Sequence, residues 1–228
     1  NSPFSILHFQ FSIFNSPFSI LHSQFSILNS PFIMYTPSHF RGDTPYQEII
    51  QKFPFGLMLS LQGESLAATH LPFVYKEKDG KPYLISHLAK ANPQSKMVDG
   101  VEVLLVFQGP SAYISPLWYE DEKNVPTWNY VALHIRGHIR LASEAGSKSI
   151  LAEIVQHFDP AYAETRYPLL DEAYHERLMR GIVAFEVEIE AVELKEKCSQ
   201  NKSEEDRKRI KAALLGTELG EWMKKSTF

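Results

Sequence analysis

Residues 182–194 carry the cleanest period-two alternation in the chain: Val183, Phe185, Val187 and Ile189 against Glu186, Glu188 and Glu190. Strand side chains point to opposite faces with period two, so this stretch specifies a strand with one buried and one charged face. Such a strand belongs in an antiparallel sheet, where one face can meet water. The rest of the chain offers it neighbours. Residues 55–61 and 66–75 are apolar and β-rich, separated by the hairpin signal Gln62-Gly63-Glu64. A further strand is expected over 82–85. The nearly unbroken aliphatic run at 101–107 reads as a central strand. Gly109-Pro110 reads as a turn into 112–115, and residues 128–140 alternate again.

Helices are expected at the margins. Thr44-Pro45-Tyr46-Gln47 has the form of a capping box with proline at the first helical position, which predicts a helix to about residue 53. Residues 149–158, 171–179, 203–214 and 218–224 also read as helical. The order is therefore a run of strands, two helices, one late strand and two more helices. That is not the βαβ rhythm of a parallel sheet. It predicts a mainly β fold with peripheral helices (α+β), an antiparallel barrel with the helices outside.

The first 33 residues obey different rules. They read NSPFSIL, HFQFSIF, NSPFSIL, HSQFSIL, NSPF, a seven-residue unit with variations. Pro3, Pro17 and Pro31 exclude a coiled coil, and residues 1–33 hold no Asp, Glu, Lys or Arg to set helix pairing. They lack the basic start and cleavage site of an export signal. Seven codons repeated in tandem give this echo, so 1–33 is expected to be a repeat-derived upstream segment that is not native, with Met34 as the natural first residue.

Residues 34–228 then suit a barrel domain over 34–195 and a C-terminal helical segment over 196–228. A net charge of −4 argues against a domain built to grip nucleic acid. Cys198 is the only cysteine, so no internal disulfide forms, and the expected location is the cytoplasm. No apolar run approaches the roughly 18 residues of a membrane span.

Several polar residues sit where a plain core strand has no use for them. ATHLP puts Thr69 and His70 inside an apolar strand. SHLAKANPQ gathers Ser86, His87, Lys90, Asn92 and Gln94. VPTWNY brings Trp128, Asn129 and Tyr130, and EKCSQNKSEEDR brings Lys197, Gln200 and Asn201. No metal-ligand spacing, P-loop, GxGxxG or GxSxG is present, so no metal site and no catalytic residue are assigned. Taken singly, each of these residues also has a plain structural reading.

Together, ATHLP, HLAKANP, VFQGPSAYISPLWY, VPTWNY, GIVAFE and KCSQNKSEEDR, in this order from Met34 to about residue 210, resemble the PaiB-like family of FMN-binding negative transcriptional regulators. The resemblance implies a split β-barrel of the pyridoxamine-phosphate-oxidase kind. It further implies a homodimer with FMN between the subunits, and a repressor role in bacteria. The chain departs from the family pattern at Ser86, Leu117, Ala184, Leu194 and Cys198. Within the implied cofactor site, Thr69, Ser86, Lys90 and Lys197 suit a phosphate. Trp128 and Tyr130 suit the wall of a ring, and Asn92, Gln94, Asn129, Gln200 and Asn201 its polar edge. His70 and His87 complete the set.

The same barrel hosts flavin-dependent oxidoreductases, which is the alternative reading. Direct DNA binding is a third, resting on Lys202, Arg207, Lys208, Arg209 and Lys211, diluted by Glu204, Glu205 and Asp206. A haem-handling relative is a fourth, with His70, His87, His134 or His138 as axial ligand.

Overall fold

The computed structural model describes residues 34–96 and 99–225. The repeat at 1–33 lies outside them. The described residues lie in one compact unit and build one antiparallel sheet. Its strands are β1 (Phe55–Gln62), β2 (Ser65–Pro72), β3 (Val74–Lys78), β4 (Lys81–Ala89), β5 (Glu102–Ile114), β6 (Thr127–Leu141) and β7 (Ile182–Lys197). The spatial order is β2-β1-β5-β6-β7-β4-β3. The late alternating strand is thus central, between β6 and β4.

The sheet curls so that β2, at one end of the order, meets β4 near the other: Ser86 Oγ donates to Pro72 O (2.7 Å). Inside lie Met58, Leu105, Phe107, Leu133, Ile135 and Phe185, all fully buried. Each alternates with a residue of the opposite face. Outside, Glu188 of β7 takes ion pairs from Arg140 and, at 3.0 Å, Lys81.

Helix α1 is Tyr46–Lys52. Between β6 and β7 run α2 (Glu144–Phe158), α3 (Pro160–Thr165) and α4 (Glu172–Arg180), and after β7 come α5 (Glu204–Ala213) and α6 (Glu218–Lys225). Ser143, Asp159, Asp171 and Ser203 cap α2, α3, α4 and α5, each accepting from a backbone N–H of the first turn. Ile150 and Ile154 of α2 cover Val74, Ile85 and Ala184 on the outer sheet face. Ile210, Leu214, Leu219, Trp222 and Met223 of the last two helices and their link join the main core. Residues 196–225 are therefore continuous with β7, and several of them pack into the main core. Among the described residues no helix is long and apolar enough to cross a membrane.

Three local expectations need correction. Gly109-Pro110 does not end a strand. β5 runs straight through it as a bulge between Gln108 and Ser111. A bulge is where proline's missing N–H goes unnoticed, and a Cβ on Gly109 would lie 2.8 Å from Val131 Cβ. Thr44 does not cap α1, which has Pro45 at its N-cap and no side-chain cap. Its hydroxyl donates instead to Glu196 (2.8 Å). The expected strand over 66–75 is two strands, broken at Phe73 where the chain turns the corner of the barrel.

Candidate functional site

The polar residues singled out above fall into two groups and four outliers. The first group gathers β1, β2 and the turn after β4. Asn92 and Gln94 lie in the turn after β4, and Gln94 is almost fully buried. Asn92 Nδ2 donates to Thr69 Oγ1 (3.0 Å), and Thr69 Oγ1 donates to Gln94 Oε1. Gln94 Nε2 donates to Ser60 Oγ (2.8 Å) and Ala67 O (3.3 Å). Gln94 N–H returns to Asn92 Oδ1 (2.9 Å). Reading single residues missed Ser60, whose hydroxyl lies on the inner face of β1; the signal was a lone serine in an apolar alternation.

The second group lies where β6 begins and β7 ends. Asn129 faces inward, fully buried, and its Nδ2 donates to Ser199 Oγ (2.8 Å). Ser199 has φ 63°, in the left-handed region, which bends the chain sharply after β7. Gln200 is consumed by that bend: its Oε1 accepts from Cys198 N–H (2.7 Å) and its Nε2 donates to Glu196 O. Tyr130 stands opposite Lys197 in the register, and Lys197 Nζ donates to Thr127 Oγ1. Burial holds the Lys197 ammonium below the ordinary lysine value; the Tyr130 hydroxyl pulls it up and Lys195 pushes it down again. Trp128 is 55% exposed and meets Tyr113 edge-on, centroids 6.1 Å apart. Asn201 is exposed in the same bend.

The outliers sit elsewhere. His70 points outward from β2 and stacks on Phe55. Ser86 is fully buried, and its hydroxyl is spent on Pro72 O, so its visible part is to tie β4 to β2. Lys90 is exposed beside an open surface cavity that Glu176, Arg180 and Ala184 also line.

His87 belongs to neither group. It is paired with Ala184 on the face of β4 that α2 covers. Burial lowers its proton affinity, so the ring is neutral at pH 7.

The first two groups are joined by no hydrogen bond, ion pair or ring contact among the described residues. Cys198 is no nucleophile: it is buried, and desolvation pushes its thiol up to about 12. Among the described residues there is no cluster of metal ligands.

Two buried polar atoms bear on a ligand. His87 Nδ1 and Asn129 Oδ1 have no hydrogen-bond partner among the described residues. A buried polar atom left unpaired is costly, and such atoms gather where something else is meant to bind. The family described as "Putative FMN-binding domain" matches residues 34–191. The chain belongs to this FMN-binding family, the PaiB-like one. Protease synthase and sporulation protein PAI 2 of Bacillus subtilis is 37% identical over 182 residues, covering 76% of this chain and 85% of that protein. An uncharacterized protein of Saccharomyces cerevisiae is 32% identical over 133 residues, covering 47% of this chain and 79% of its own.

Among solved structures, the FAD and haem binding protein of Mycobacterium smegmatis superposes with a TM-score of 0.54 at 13% identity, covering 73% of this chain and 77% of that one. The flavocytochrome Anf3 of Azotobacter vinelandii gives 0.52 at 16%, covering 70% and 72%. At such identities the likeness is one of fold, and the fold is the split β-barrel.

The residues present fit the family's cofactor. Where β6 begins and β7 ends, Asn129 offers a free acceptor, Trp128 and Tyr113 exposed aromatic surface, and Lys197 a cation whose visible partner is a hydroxyl. Bound FMN supplies a ring that takes up and releases electrons. The chain's own part is to hold and orient that ring and to keep water from it.

Proposed function

We propose that the chain is a homodimeric FMN-binding protein with a regulatory role, and that the flavin lies between two subunits. The observation that carries this reading is the division of the candidate residues. One chain keeps Thr69, Asn92 and Gln94 apart from Trp128, Asn129, Tyr130 and Lys197, so a second chain is the simplest way to bring the two groups together. An apolar face on the sheet supports this reading. Phe55, Leu57 and Leu59 on the outer face of β1 stand beside Ala68, Leu104 and Val106 of its neighbours. Phe55 is 63% exposed and Leu66, farther along the same face, 60%. A contiguous apolar face of this kind marks an interface, and a two-fold dimer is the commonest closed assembly.

The test is assembly and flavin together. Light scattering should give twice the 26.1 kDa chain mass, with one FMN per subunit. Leu59→Glu should give monomers whose FMN affinity has fallen at least about tenfold, as expected when half of a shared site leaves. A monomeric variant with undiminished FMN binding would sink the shared-site reading.

The regulatory role rests on the family resemblance and on the Bacillus subtilis relative, whose name ties it to protease synthesis and sporulation. Direct grip on DNA is not supported by the charges. Lys208 pairs with Glu204 (3.0 Å), and Arg209 lies 3.6 Å from both Glu120 and Glu205. Lys202 donates to Asn124 (2.8 Å). Purified protein should bind duplex DNA weakly, and lose it as salt rises from about 50 to 200 mM. The triple variant Arg207→Ala, Lys208→Ala, Arg209→Ala should bind much as the parent does. Tight, sequence-selective binding that this variant abolishes would show that α5 reads DNA after all.

A further inference from the structure

The last three residues of β7 are Lys195-Glu196-Lys197. Period two sends Glu196 into the core and both lysines to the outer face. The register confirms the sides: Lys195 stands opposite Ala132, and Lys197 opposite Tyr130, on β6. Both ammonium groups are poorly solvated. Lys195 is only 8% exposed; its Nζ donates to Tyr35 O (2.9 Å) and lies 5.6 Å from the Tyr35 ring centroid and 5.3 Å from that of Tyr130. Lys197 Nζ donates to Thr127 Oγ1 and lies 5.9 Å from the Phe40 ring.

Neither lysine has a carboxylate within ion-pairing distance among the described residues. The two acids nearest in sequence are occupied. Glu193 takes the backbone N–H of Met34 (3.1 and 3.2 Å). Glu196 faces inward and takes Thr44 and Trp222. Two like charges half out of water, side by side and without a counter-ion, are a standing electrostatic cost. Natural sites carry that cost where an anion will cancel it.

We infer that Lys195 and Lys197, with the Thr127 hydroxyl, form a site for a dianionic phosphate monoester, and that its occupant is the phosphate of FMN. This rests on the flavin reading above. Charge favours a phosphate over a carboxylate, because a phosphate monoester carries close to two negative charges at neutral pH and the pair supplies two positive ones. Each lysine has further N–H donors beyond the one it spends on the protein, and Thr127 can donate while it accepts from Lys197. The rings of Tyr35, Phe40 and Tyr130 shield the charges from bulk water, which strengthens their hold on an anion.

The experiment is calorimetric titration of the flavin-free full chain with FMN, riboflavin and inorganic phosphate, on the parent, Lys195→Met, Lys197→Met and the double variant. The parent should prefer FMN to riboflavin, and each lysine removed should weaken FMN roughly tenfold while leaving riboflavin unchanged. Inorganic phosphate should bind weakly, compete with FMN and vanish in the double variant. An FMN preference that survives in the double variant overturns the proposal, and so does phosphate that binds alongside FMN rather than against it.

If the parent binds no flavin, the flavin reading fails by itself. The phosphate titration still decides the lysine pair: loss in the double variant upholds it, and undiminished binding overturns it. Thermal melts in phosphate-free buffer guard against misfolding, since relief of repulsion should leave Lys195→Met at least as stable as the parent. Lys197→Gln serves if the double variant does not fold.

Discussion

Glu196→Leu is expected to destabilise the protein by about 4 kcal/mol, several times the loss of an ordinary buried hydrogen bond. Glu196 is fully buried on the inner face of β7. Its carboxylate accepts from Thr44 Oγ1 (2.8 Å), Trp222 Nε1 (2.7 Å), Asp43 N–H (3.1 Å) and Thr44 N–H (3.4 Å). Leucine fills similar space but accepts nothing. The half-buried Thr44 hydroxyl and the Asp43 and Thr44 N–H groups then lose the acceptor that holds them, and the indole N–H loses its bond to the carboxylate, so polar groups drawn out of water on folding get less in return. Domains of this size are stable by about 5–15 kcal/mol, so the variant should lose a large share of its margin. Urea denaturation measures it as a lower midpoint. Glu196→Gln keeps an acceptor for Trp222 and should cost about 1–2 kcal/mol. Equal losses for the two variants would mean that packing, not the acceptor, is what Glu196 provides.

Gly137→Ala should cost about 3 kcal/mol, at the upper end for overpacking. A Cβ at Gly137 would sit 2.0 Å from Glu188 O, a backbone atom that cannot rotate aside. The position is special because β6 and β7 slip register there: Arg136 faces Ala191, but Gly137 faces Ile189. The close approach of the two backbones is how the slip is accommodated. If alanine forces β7 away, the strand beyond the bulge moves with it, including Lys195 and Lys197. Flavin affinity should therefore fall along with stability. A variant that melts like the parent would show that the bulge can relax without cost.

How much of this could be read from the sequence depends on the range of the interaction. The alternation at 182–194 reports a local fact, the two faces of one strand, and β7 follows it. The capping box at Thr44 is equally local in form, yet its hydroxyl binds Glu196, 152 residues away. No window around Thr44 contains that acceptor. Gly109-Pro110 carries a true signal of broken regularity, but a bulge and a turn ask for the same residues, and only the partner strand decides between them.

The candidate site divides the same way. ATHLP and HLAKANP mark polar residues worth noticing, and Thr69, Asn92 and Gln94 do converge. That they satisfy one another through Ser60, leaving His87 Nδ1 and Asn129 Oδ1 unpaired, depends on which strands meet when the sheet closes. Lys195 escapes notice because it lies in the charge-rich stretch Glu193-Leu194-Lys195-Glu196-Lys197, of a kind that usually signals a wet surface. Counting by twos from Lys197 would have put both lysines on one face.

The carboxylate of Glu196 also sets an order of events during synthesis. It joins residues 43 and 44, near the start of the folded unit, to Trp222, near the end of it. While the chain is still on the ribosome, β7 emerges before α6, so for a time its inner face carries a charged group whose indole partner does not yet exist. The barrel can pair its strands but cannot close its interior until α6 is released. Folding of this unit should therefore complete only once α6 has left the ribosome, and a ribosome stalled within α5 should display a sheet that proteases still recognise as open.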